Sequence, residues 1–327
     1  MPRTFTSVFS EPDDYQAALS EECVVRFLVT GPGQFRARLT QIMLRRLRLL
    51  AAEEHLPRIA FAAVPADAVL VALPIGREPS PIWGGIGMRS GEMITLGPDQ
   101  RVHARTDGPC RWGAIRLPAQ DMARYGRALS GAGFAVPQFV ARWQPSSAAR
   151  RDLRQLHRAA IRAAEIRSGP LIDGEAAHGL EQQLIHALVD CLAAGPVDEN
   201  MSAYRHPELL ARLEGLLQMQ PFLRVAEICV ALGVSDRNLR RCCEKQLGVS
   251  PSNYLRLYRM QQVNQALRNG NPDAATIAEV ARRYGVRDLG RFAAAYRARY
   301  GELPSATLRR RDGVAELTLG RPRVKFS

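Results

Sequence analysis

Lysine is almost missing from this chain of 327 residues: Lys245 and Lys325 are the only two, and the other basic side chains among its 45 are arginines. Such a bias fits a GC-rich genome as well as it fits bidentate anion recognition, so the choice of arginine alone decides nothing. The six cysteines (Cys23, Cys110, Cys191, Cys229, Cys242 and Cys243) form no C-x-x-C pair, and no histidine stands at metal-ligand spacing. Free thiols in a reducing compartment are expected, with no disulfide framework, no zinc and no cofactor. No stretch approaches about 18 uninterrupted apolar residues, so no helix is expected to span a membrane. Met1-Pro2-Arg3-Thr4-Phe5 lacks the apolar core of a signal peptide, and the expected location is the cytoplasm.

The formal charge of +13 is unevenly placed. Residues 1–204 hold 23 arginines against 21 acidic residues, whereas residues 205–311 hold 19 basic against 9 acidic ones. A basic C-terminal third is the electrostatic footprint of a phosphate-binding surface. The length suits two or three domains.

That basic third carries one pattern twice. The first copy runs Ala226-Glu227-Ile228-Cys229-Val230-Ala231-Leu232-Gly233-Val234-Ser235, followed by Leu239, Cys243, Gly248 and Pro251. The second runs Ala278-Glu279-Val280-Ala281-Arg282-Arg283-Tyr284-Gly285-Val286-Arg287, followed by Phe292, Tyr296, Gly301 and Pro304. A helix-turn-helix needs a small residue where its helices touch (Cys229, Ala281), then a glycine four residues later for the tight turn (Gly233, Gly285). Leu239 and Phe292 anchor the inner face of the following helix. The second copy holds one extra residue after its turn. Between the copies, Ser250-Pro251 start a helix whose apolar positions are Tyr254, Leu255, Leu257, Tyr258, Met260, Val263, Ala266 and Leu267.

These residues resemble the DNA-binding domain of the AraC/XylS family of bacterial transcription regulators. The resemblance covers roughly residues 205–311 with specific motifs, and is looser over residues 20–120. It implies a cupin-like sensor domain at the N-terminus, dimerisation through helices that follow it, and two motifs reading successive major grooves of double-stranded DNA.

The N-terminal part reads as strands. Cys23–Val29, Phe35–Leu44, Leu47–Ala52, Arg58–Val64, Ala68–Ile75, Ile82–Met88, Glu92–Leu96, Arg101–Arg105 and Cys110–Leu117 are β-type runs separated by turn residues. Eight or nine strands at this spacing predict a jelly roll or small barrel. A metal-using cupin needs a histidine cluster that His103 and His55 do not make. Trp83, His103, Cys110 and Trp112 are the candidate lining of an effector pocket, each equally suited to the core. Helices are expected at Gln120–Ser130, from a Ser146 or Ser147 cap to about Arg167, and from an Asp173 cap to Gly195-Pro196. In the last of these, Leu180, Leu184, Leu188 and Leu192 recur every four residues. The stripe suits packing inside the domain, and it equally suits the homodimer interface that the resemblance implies.

The expected fold class is therefore α+β multidomain. A cupin-like barrel or jelly roll spans 1–145, a helical dimerisation and linker segment 146–204, an all-α domain with two helix-turn-helix motifs 205–311, and a tail 312–327. In the first motif the reading helix starts near Ser235 or Asp236. With Leu239 turned inward, Arg237, Asn238, Arg240 and Arg241 lie at its tip, and arginine matches guanine O6 and N7. In the second, Arg291 is the base-reading candidate, flanked by Gly290 and Ala294, with Arg282, Arg283 and Arg287 nearby. The expected function is a ligand-responsive transcription activator that binds DNA, an unknown small-molecule effector and RNA polymerase. A repressor of the same family, a nonspecific DNA-packaging protein and a DNA-associated enzyme are the alternatives. Of the enzymes, an alkyl acceptor needs Pro-Cys-His-Arg, and Pro109-Cys110-Arg111 lacks its histidine.

Overall fold

A computed structural model describes residues 3–20, 22–76, 81–89, 91–166, 174–197, 207–270 and 276–309. In chain order the N-terminal part contains β1 (Arg3–Phe9), α1 (Pro12–Ser20), β2 (Val24–Val29), β3 (Ala37–Met43), β4 (Arg48–Glu54), β5 (Arg58–Ala63), β6 (Ala68–Pro74), β7 (Ile82–Trp83), β8 (Ile86–Gly87), β9 (Met93–Leu96), β10 (Arg101–Thr106) and β11 (Cys110–Pro118). There follow α2 (Ala119–Ser130), β12 (Ala141–Trp143), α3 (Ser147–Ile166) and α4 (Gly174–Leu192).

Seven strands form an antiparallel sheet in the order β1-β3-β4-β11-β6-β9-β12, and five form a second in the order β2-β5-β10-β7-β8. No strand of one sheet pairs with a strand of the other. The expected barrel is therefore corrected to an open two-sheet sandwich. The expected strand Ile82–Met88 is a hairpin, β7 paired with β8, because Gly84 and Gly85 turn the chain at φ 55° and 81°. β1, α1 and β12 were not foreseen.

Strand periodicity explains how one sandwich acquires two partners. Phe27 and Val29 of β2 and Ala60 and Ala62 of β5 point between the sheets, with Leu50, Trp83 and Trp112. Their neighbours Leu28 and Ile59 point outward and join the core of the C-terminal helices. On the other side, β6 sends Leu70 and Ala72 between the sheets and Val69, Val71 and Leu73 out against α3 and α4. Being buried on both faces, β6 reads as an unbroken apolar run.

α3 begins where expected, with the Ser146 hydroxyl accepting from the Ala149 amide at 3.2 Å. Asp173, the expected cap of α4, lies outside the described residues, as do residues 198–206 of the expected linker. Of the two readings of the leucine stripe, the burial supports packing inside the domain. Leu184, Leu188 and Leu192 are buried with Ile185 and Val189 in the core shared by α3, α4 and the seven-stranded sheet, and Leu180 is partly buried against it. A four-residue repeat marks the face that a helix buries without saying against what, and here the domain's own sheet covers it.

His157 on α3 is buried, and its Nε2 donates to the Leu50 carbonyl at 3.0 Å. Gly113 on β11 leaves room for the ring, since a Cβ there would lie 2.9 Å from it. Burial pushes the His157 pKa from 6.5 down to about 4, against the opposing effect of the Leu50 hydrogen bond. The unfolded chain takes up this proton near pH 6.5 and the folded chain only near 4, so the stability is complete above 6.5 and is lost as pH falls toward 4. A gap of that size is worth about 3 kcal/mol. Denaturant titrations from pH 7 to 4.5 should show stability falling less steeply in His157→Gln than in the wild-type protein. Equal slopes would contradict this assignment.

Candidate nucleic-acid interface

The C-terminal helices are α5 (Pro207–Met219), α6 (Val225–Leu232), α7 (Asp236–Leu247), α8 (Pro251–Arg268), α9 (Ile277–Arg283), α10 (Leu289–Tyr300) and α11 (Pro304–Arg309). The two turns are built alike. Gly233 and Gly285 adopt left-handed φ of 68° and 77°, and the next amides, of Val234 and Val286, donate to the carbonyls of Cys229 and Ala281, each at 3.0 Å. Both small residues are buried. Ser235 caps α7 by accepting from the Asn238 amide at 3.2 Å, and Asp288 caps α10 by accepting from the Arg291 amide at 3.0 Å. α7 starts three residues after its turn glycine and α10 four, so the extra residue of the second copy lies in the turn.

Leu239, Cys242 and Cys243 bury the inner face of α7, and Phe292 and Tyr296 that of α10. The opposite faces carry the arginines. Arg237, Arg240 and Arg241 are exposed on the first turns of α7, and Asn238, half-buried, accepts from Arg241 at 3.3 Å. Arg282 and Arg283 are exposed in the last turn of α9, Arg287 in the turn itself, and Arg291 on α10, its side chain 92% exposed. Arg240 stands 3.9 Å from Asp236 and Arg291 3.3 Å from Asp288. Exposed pairs of this kind are worth at most about 1 kcal/mol, so a phosphate displaces the carboxylate at little cost. α8, buried along Tyr254, Leu257, Tyr258, Val263 and Leu267, joins the motifs; its 18 residues span about 27 Å.

Of the four candidate pocket residues, Trp83 and Trp112 come together, and Cys110 and His103 do not join them at a cavity. Trp83 and Trp112 meet edge-to-face at 6.4 Å beside an inter-sheet cavity of about 20 Å³, room for about one water. Trp112 donates to Glu54, which also accepts from Tyr15 and Arg58, all within 3.0 Å. Cys110 is buried in the same core without lining the cavity. His103 faces the other way.

His103 leads to a cluster that no sequence motif announced. Its Nε2 donates to Glu214 of α5 at 3.0 Å, the Tyr254 hydroxyl of α8 donates to the same oxygen, and Arg26 of β2 stands 3.1 Å from the other oxygen. The Arg26 guanidinium also lies 4.2 Å over the Tyr258 ring. Burial alone would raise the Glu214 pKa, but the His103 hydrogen bond and the Arg26 charge outweigh it and hold the carboxylate below its ordinary range. Further along α8, Gln261 donates to the Phe27 carbonyl at 2.8 Å, Gln265 to Asp13 at 3.0 Å, and Arg268 to Glu11 at 3.3 Å. The signal for Glu214 in the sequence is faint: one acid on the face of α5 that otherwise buries Leu210, Leu213 and Leu217.

Two capped helix-turn-helix units on one linking helix, each with arginines at the exposed tip of its second helix, define a DNA-binding protein. A sequence profile described as a helix-turn-helix domain matches residues 228–310. A XylDLEGF operon transcriptional activator of Pseudomonas putida is 27% identical over 239 residues, which cover 70% of this chain and 71% of that protein. XylDLEGF operon transcriptional activator 2 of the same organism is 44% identical over 75 residues, 23% of this chain and 48% of that one. Among solved structures, the AraC-like transcriptional activator CuxR covers 87% of this chain and 100% of its own at 15% identity and a TM-score of 0.44. ToxT from Vibrio cholerae covers 94% and 96% at 10% identity and a TM-score of 0.28. Residues 228–310 of the chain are thus a helix-turn-helix domain, and over 70% of its length the chain is similar to transcriptional activators.

Glu214→Gln should destabilise the full chain by about 3–5 kcal/mol, because Arg26 is left as a buried, uncompensated charge. Adding Arg26→Met should recover much of that loss. Denaturant unfolding of the two variants is the measurement, and a double variant no more stable than the single one would contradict the pairing.

Proposed function

We propose that the protein is a ligand-responsive transcription activator that reads two successive major grooves of its operator. On this reading Arg237, Asn238, Arg240 and Arg241, with the capping Ser235, face bases and phosphates of one half-site. Arg291 faces bases of the other, while Arg282, Arg283 and Arg287 contact phosphate. The observation that carries it is the pair of arginine-bearing helix tips held by α8. Its length of about 27 Å approaches one DNA turn, about 34 Å. The N-terminal sandwich (1–145) with the helices of 146–204 packed on it is the sensor, residues 205–311 bind DNA, and 312–327 are a tail. The six free cysteines fit a cytoplasmic location. No helix among the described residues is long and apolar enough to cross a membrane. As an activator it contacts RNA polymerase. A homodimer must use a face other than the Leu180, Leu184, Leu188 and Leu192 stripe.

The two motifs are unequal. The first offers three exposed arginines at its tip, whereas in the second Arg291 is flanked by Gly290 and Ala294, which carry no hydrogen-bonding side chain. Base discrimination is therefore concentrated under α7, and the second motif supplies mostly phosphate contacts, which strengthen binding to any sequence and increase its salt dependence.

The test is a base-pair scan of an operator selected in vitro, at fixed salt. Arg240→Ala or Arg241→Ala should cost about 1–3 kcal/mol of specific binding with the fold intact. Arg283→Ala should weaken all sequences about equally. Wild-type affinity in both α7 variants, or equal base penalties in the two half-sites, would overturn the assignment.

A further inference from the structure

The face of the seven-stranded sheet that carries α3 also holds a groove of about 280 Å³ with an uncommon lining. Arg154, Arg158 and Arg162 rise from successive turns of α3 on one side, and Arg38 of β3 and Arg111 of β11 face them from the sheet. The carboxylates in the lining are Glu53 and Glu165. Glu53 accepts from Arg111 at 2.6 Å, and that hydrogen bond together with the Arg111 and Arg38 charges holds its pKa below the ordinary range. Among the described residues, Arg154, Arg158 and Arg162 form no ion pair. Like charges four residues apart cost a helix a few tenths of a kcal/mol per pair, so helix stability gives no reason for this ladder. A ligand with several negative charges does. The floor is apolar, formed by Ile75, Ile161 and Ala51, with His157 fixed beneath it by its bond to Leu50.

We propose that this groove binds a phosphorylated small molecule of about mononucleotide size, its phosphates on the α3 arginines and its organic body on the apolar floor. Guanidinium groups match phosphate oxygens in bidentate fashion. The volume lies just below that of most small-molecule sites, about 300–1,000 Å³, and suits a compact anion. The DNA-binding helices dock on the other sheet, by Leu28 and Ile59, so the groove is not an extension of the DNA surface. The proposal deepens the reading of the N-terminal part as a sensor and rests on it.

Calorimetric titration of the full chain at physiological salt with ATP, pyrophosphate and inorganic phosphate tests it. ATP should bind saturably at one site per chain. Arg158→Glu and the milder Arg158→Gln should each lower affinity by about tenfold to a hundredfold. Arg127→Glu, a change of equal charge on exposed α2, should leave it unchanged. Absence of saturable ATP binding, equal loss in the Arg127 variant, or inorganic phosphate binding as tightly as ATP (an adventitious ion only) would each overturn the site. Competition by duplex DNA would reassign the groove to the nucleic-acid surface and likewise overturn it. Operator binding of the same variants without ATP is measured in parallel. Unchanged operator affinity beside absent ATP binding rejects the groove alone, whereas lost operator affinity in the wild-type chain rejects the regulator reading itself.

Discussion

One buried carboxylate holds the relation between the N-terminal sandwich and the C-terminal helices. Apolar contacts such as those of Leu28 and Ile59 are non-directional and tolerate sliding, but Glu214 does not. A charge removed from water is tolerated only when it is compensated, and Glu214 takes its compensation from Arg26 and His103 on the sheet and from Tyr254 on the linking helix. Each donor has a fixed direction, so the sheet and the helices meet in one register. Gln261, Gln265 and Arg268 extend that register along α8, the same helix that joins the two helix-turn-helix motifs. The placement of the sandwich against the C-terminal helices thus takes its direction from polar geometry.

The sandwich also connects the faces that its two helical partners cover. His157, beneath the arginine ladder, bonds the main chain of β4 at Leu50, whose side chain lies between the sheets with Phe27 of β2. Phe27 adjoins Arg26 in sequence, and its carbonyl accepts from Gln261. A continuous packed route therefore joins α3 to α8 across sheets that stack about 10 Å apart.

The helix-turn-helix pair was legible because it depends on local sequence. Gly233 and Gly285 serve backbone conformations, Ser235 a helix end, and Leu239 and Phe292 the facing helix, all within about 15 residues. Most strands were legible for the same reason: alternation is a local property. What stayed hidden depends on chain segments far apart. Whether the strands close into a barrel is decided by how the sheet edges meet, and no residue of β1 or β12 encodes that by itself. The Leu184–Leu188 stripe showed that a face is buried, not which surface buries it. Glu214 gains its meaning from Arg26, nearly two hundred positions earlier. The arginines of α3 likewise gain their meaning from Arg38 of β3 and Arg111 of β11 opposite them.

The extra residue between Gly285 and Asp288 breaks the symmetry of the repeat. With unequal turns and unequal tips on one stiff connector, the bound chain has a head and a tail. On the proposed reading, a sequence that fits such a surface is an arrow rather than a palindrome.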